Sequence, residues 1–198
     1  MNSTKKHELQ TMDKERLGTF IDAVLAIVIT LLVLTLDKPK TYDLKGLWGL
    51  RVNFLAYTIT FFRLGVMWVN IHSSYHLIKK VSQKTVWVTI ILLFFTSFFP
   101  YATQLLATHF HNGTMQVFYG VIFLCINFSV LWYYRTLDEV NNSDSFHKLT
   151  KRRNQWMRWD IGIKLVGLLL SLSIFTEGVI LADMISFLFI VIPRQFRE

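Results

Sequence analysis

Cysteine is almost missing from this chain of 198 residues. The single one, Cys125, lies inside an apolar run, so an intrachain disulfide framework is excluded. Proline occurs only three times, which suits long helices. Charge is also thin: 17% of residues carry it against 53% that are hydrophobic, too apolar a balance for a soluble domain. The motifs of common chemistries are absent as well. There is no Gly-x-x-x-x-Gly-Lys-Ser/Thr loop, no cysteine pair for zinc and no Gly-x-Ser-x-Gly elbow, so the chain does not read as an enzyme and no cofactor is expected. Of the filter run Thr-Val-Gly-Tyr-Gly, only Tyr119-Gly120 remains, which excludes a carbonyl selectivity filter of that kind. No internal repeat, low-complexity tract, cleavable signal or domain boundary stands out.

What the chain does have is phenylalanine, 17 of them, and a series of long apolar runs. The expectation is an all-α membrane protein: one domain over residues 1–198 with six transmembrane helices, at about 17–36, 44–74, 86–106, 115–134, 161–175 and 179–192. Pro39 closes the first span. The second is too long for one crossing and should tilt or project. Pro100 should kink the third or end its regular part, and the last two should pair as a hairpin around Thr176-Glu177-Gly178. Residues 135–160 read as the largest polar loop.

Lysine and arginine sit in short connections beside apolar runs, which orients a membrane protein and argues against nucleic acid as the partner of the excess positive charge. Six crossings put both termini on one side. That side then receives the basic head, Lys79, Lys80, Lys84, the basic loop from Arg135 to Arg158 and the tail from Pro193. The other side receives Lys38, Lys40, Lys45 and, at its boundary, Arg51. The expected location is the cell membrane with both termini cytoplasmic.

The first span organises the rest. On a helical wheel Arg16, Phe20, Ala23, Ile27, Thr30 and Leu34 form one stripe with Leu31 beside it, and Asp22 points about 140° away from Ile27. Lipid contact or ordinary packing explains Ile and Leu on such a stripe, but explains Thr30 and the bracketing charges less well. A carboxylate inside a span costs about 2.5–3.5 kcal/mol, so Asp22 needs a partner. The end of the second span offers His72, Asn70 and the Trp68 indole. Asp183, Arg63 and Lys164 also lie at or inside spans. For the two long cations, snorkelling to an interface is the expected behaviour.

Arg16-x-x-x-Phe20-x-Asp22 followed by Ala26-Ile27-x-x-Thr30-Leu31-x-x-Leu34 resembles the first helix of the transmembrane protein 175 family of potassium channels, prokaryotic branch. Trp68-Val-Asn70-Ile-His72 is similar to that family's element at the end of helix two. Phe54-Leu-Ala56-Tyr57 and Phe99-Pro100-Tyr-Ala-Thr103 are also similar to stretches of its members. Two positions depart: Ile21 stands for the signature serine and Ile71 for the first histidine of a pair. The resemblance implies a homotetramer in which helix one of each subunit lines a central pore for potassium and other monovalent cations. It implies a constriction at Ile27, Leu31 and Leu34, a selectivity layer at Thr30 and Ala26, and a structural network of Arg16, Phe20, Asp22, Trp68, Asn70 and His72.

Three other readings compete. A proton-coupled secondary transporter would use Asp22 and Asp183 as relay carboxylates, but usually shows an inverted repeat. A haem or redox protein would use His72 and His76, four apart on a helix; an interfacial hydrogen-bonding pair is the plainer account of them. A structural membrane protein would carry no flux.

Overall fold

In the computed structural model, residues 13–141, 144–173 and 175–192 are described. The basic head before residue 13 and the basic tail from Pro193 lie outside them. Helix α1, Lys14–Leu31, opens on Asp13, whose carboxylate accepts from the Glu15 amide, and closes in a tight 3-10 turn, Leu32–Thr35. Leu17, Ile21, Leu25, Val28 and Leu32 recur at three- and four-residue steps and are all buried. They seat α1 on α3, Arg51–Tyr75, on α4, Gln83–Ser97, and on α5, Phe99–Thr108.

Two of the expected spans are broken. The run from Leu44 divides at Leu50 into a short surface helix α2, Leu44–Gly49, and α3. Asp43 caps α2: its carboxylate accepts from the Thr41 hydroxyl, which chiefly holds it below the usual range, and from the Gly46 amide, which adds to the effect. The third run divides at Phe98 because Pro100 lacks the N–H a continuing helix needs. In the first turn of α5 that deficit costs nothing.

Helix α6, Gly113–Asn141, touches α4, α5, α7 and α8 and forms the centre of the bundle. Of residues 135–160, expected as a loop, 135–141 and 144–160 are helical instead. Helix α6 runs to Asn141, and α7 occupies Asp144–Ser173. The polar composition hides two apolar anchors, Leu137 and Phe146, both fully buried. Asn141 then ties the end of α6 to the α3–α4 connection, its side-chain Oδ1 accepting from the Lys79 and Lys80 amides at 2.6 and 3.0 Å. Helix α8, Gly178–Ser186, continues into a wide turn over Phe187–Val191. It crosses α7 at two glycines: a Cβ on Gly167 would lie 2.4 Å from the Ala182 Cβ and 2.7 Å from the Gly178 carbonyl oxygen.

Among the described residues, four segments are long and apolar enough to cross a membrane: Lys14–Thr35, Arg51–Tyr75, Gln83–Thr108 and Gly113–Asn141. Gly178–Phe189 is apolar but shorter. The molecule is an all-helical, multi-pass membrane protein.

Candidate functional site

The most apolar of the four segments is the least covered by its own chain. Only 28% of the best window of Lys14–Thr35 is buried, the smallest share among them. The uncovered part is one stripe. Phe20, Ala23, Ala26, Ile27, Thr30, Leu31 and Leu34 are exposed, with Ile27 at 59% and Leu34 at 73%, while the opposite side is packed. The Thr30 hydroxyl donates to the Ile27 carbonyl of its own helix at 2.8 Å, which leaves its oxygen lone pairs available to accept.

Asp22 lies between the exposed and buried faces and takes a hydrogen bond from the Trp68 indole at 2.8 Å. Trp68 stacks on His72, with ring centroids 5.2 Å apart and planes at 25°, and His72 meets His76 edge to face. The structure thus brings Asp22, Trp68 and His72 together. Asn70 is tied elsewhere through its backbone carbonyl, which accepts from the Tyr134 hydroxyl and from Arg153 Nη1. Arg16 and Phe20 are exposed, and Arg16 makes no ion pair with a described residue. Among the described residues no three or more His, Cys, Asp or Glu are grouped to hold a metal.

A second constellation lies inside the bundle. Arg63 Nη2 approaches Asp183 Oδ1 at 2.7 Å and donates to the Asp183 carbonyl oxygen at 2.8 Å, while Nη1 bonds Asp160 Oδ1 at 3.3 Å. Lys164 binds Asp160 and lies 3.8 Å from Asp183, and the Ser186 hydroxyl and the Asn127 amide also donate to Asp160. Two cations and two anions form a neutral cluster. Phe123 lies beneath both cations, 5.3 Å from the guanidinium carbon and 3.8 Å from the ammonium. Arg63 and Lys164 are buried, so the expected snorkelling does not occur. Their charges are matched in place by Asp160 and Asp183. Asp160, assigned to a polar loop from its neighbours, is the member that sequence reasoning missed. Its i,i+4 spacing to Lys164 was the available signal.

A family model described as "Endosomal/lysosomal potassium channel TMEM175" matches residues 16–100, beginning at Arg16 and ending at Pro100. Over 88% of this chain and 95% of the other, the fold matches the crystal structure of a lysosomal potassium-selective channel TMEM175 homolog from Chamaesiphon minutus, with TM-score 0.73 and 27% identity. Residues 16–100 thus match the TMEM175 family model, and the fold as a whole is similar to that of a TMEM175 homolog. A Chryseobacterium protein named as a potassium channel is 36% identical over 122 residues, 61% of this chain. A Streptomyces collinus protein named likewise is 28% identical over 131 residues. The chain spans 64% of the length of each of these two relatives. The matched region of the family model holds the whole α1 stripe and its Trp68 partner, but not Asp160, Lys164 or Asp183.

Proposed function

We propose that this chain is a potassium-preferring cation channel. Four copies, each crossing the membrane six times with both termini cytoplasmic, surround one pore lined by α1. The observation that carries this reading is the α1 stripe: a row of large apolar side chains that its own subunit leaves uncovered, backed by a packed face and interrupted by one hydroxyl. Around a symmetry axis, Ile27, Leu31 and Leu34 make successive apolar rings. An apolar ring narrow enough to exclude water is a dewetting barrier and so a gate. Opening turns or dilates α1 until Ile27 leaves the axis. Thr30 oxygens, with Ala26 one turn below, then replace part of a cation's lost hydration. Asp22, Trp68 and His72 brace α1 against α3, and Arg16, Phe20 and Asn70 complete that scaffold without touching the ion.

The family match over residues 16–100 supports the ion class, and two relatives carry the name potassium channel. The test is reconstitution of the full chain into liposomes with parallel potassium, sodium and proton flux assays, beside a size measurement of the oligomer. Rapid, non-saturating potassium flux exceeding sodium flux, from a tetramer, is the expected result.

Proton-coupled transport through membrane carboxylates is a second reading, with buried Asp160 and Asp183 in its favour. Each already engages a cation, whereas a relay carboxylate must exchange partners. Slow, saturable flux driven by a proton gradient would favour that reading instead.

A further inference from the structure

A cleft of about 270 Å³ opens between α6 and α7, beyond the apolar part of either helix. Arg135 on α6, with Lys151 and Arg158 on α7, line it. None of these three cations makes a salt bridge with a described residue. The one carboxylate in the lining, Asp138, is bonded to His147 at 2.8 Å. Among the described residues the cleft therefore gathers three positive charges against one carboxylate.

Two neutral groups in the same lining lack partners among the described residues. The Thr150 hydroxyl belongs to a side chain only 4% exposed and has no hydrogen-bond partner, and neither has the Asn154 side-chain oxygen. A buried hydroxyl left without a partner is costly, and a ligand oxygen satisfies it. The level of the cleft is marked by Trp132 on α6 and Trp159 on α7, both exposed, in the manner of residues at a membrane–water boundary.

We propose that this cleft binds a phosphate-bearing anion, with Arg135, Lys151 and Arg158 on its oxygens and the Thr150 hydroxyl donating to it. Guanidinium groups match phosphate oxygens in pairs, the ammonium adds a point charge, and a basic pocket between helices at headgroup depth suits an anionic lipid. Free phosphate shares the same chemistry.

The test uses the full chain in detergent, titrated with phosphatidylglycerol and with phosphatidylcholine and read by native mass spectrometry, with and without inorganic phosphate as competitor. Phosphatidylglycerol should bind in preference to phosphatidylcholine. Replacing all three cations (Arg135→Gln, Lys151→Gln, Arg158→Gln) should weaken it on the order of 100-fold, at about fivefold per cation. The same number of changes elsewhere (Lys38→Gln, Lys40→Gln, Lys45→Gln) should leave it unchanged. Thr150→Val should weaken binding severalfold. Asp138→Asn removes the one carboxylate of the described lining and should tighten binding, a gain that misfolding cannot imitate. Competition by inorganic phosphate assigns the site to the free ion, and its failure assigns the site to lipid. Equal binding of both lipids without phosphate binding, an unaffected triple variant, or no gain from Asp138→Asn overturns the proposal.

Discussion

The Trp68 indole donates to the Asp22 carboxylate at 2.8 Å, joining the first and third helices. Hydrogen bonds to a charged acceptor contribute about 1.5–3 kcal/mol when well buried, and this half-exposed one should fall at or below the lower end. Trp68→Phe should lower the thermal midpoint of the purified protein by a few degrees and reduce the assembled oligomer on size exclusion. Asp22→Ala should do the same. An Asp22→Ala protein that assembles fully yet conducts nothing would reassign the carboxylate to permeation.

The buried cluster gives a larger effect. Arg63→Leu leaves Asp160 and Asp183 sharing Lys164 alone, an uncompensated negative charge in the bundle. Removing one partner of such a set costs about 3–5 kcal/mol. The double variant Arg63→Leu, Asp183→Leu restores neutrality and should recover much of the loss. Thermal unfolding of the three proteins measures both numbers.

At the α7–α8 crossing the backbone itself is the contact. Gly167→Ala places a Cβ 2.4 Å from that of Ala182, and overpacking of this kind costs about 1–3 kcal/mol. Gly162, on the same helix, has nothing within 4 Å of an added Cβ, and Gly162→Ala should be neutral or mildly stabilising. Comparing the two thermal midpoints separates crowding from helix propensity.

Glu177, in the turn before α8, is bonded to His111, and that bond chiefly holds its carboxyl below the ordinary glutamate value of 4.5. An acid depressed in the folded state stabilises it above the unfolded value and loses that contribution as the pH falls through the folded one. Unfolding measured from pH 6 downward should show the native protein losing stability below about 4.5, and Glu177→Gln should remove that part of the slope.

Much of the first helix was legible in the sequence. A 3.6-residue period in a strongly apolar run separates Ile27, Thr30, Leu31 and Leu34 from Ile21, Leu25 and Val28, and the structure exposes the first set and buries the second. The need of Asp22 for a partner followed from the cost of an intramembrane carboxylate, and proximity to Trp68 decided among three candidates. The buried cluster was less readable. Its four charges come from three helices, and only tertiary approach over Phe123 lets Arg63 meet Asp160. The helices over 135–141 and 144–160 were hidden because composition averages over the helix faces, and two buried anchors, Leu137 and Phe146, outweigh many exposed polar neighbours.

Potassium flux through liposomes carrying the Ile27→Asn protein, set beside the unaltered chain, bears most directly on the place of the first helix. A polar side chain at the apolar ring should raise flux and loosen the preference for potassium over sodium, with size exclusion and thermal midpoint little changed. Flux and selectivity equal to those of the unaltered chain would take Ile27 out of the ion's path and contradict the account.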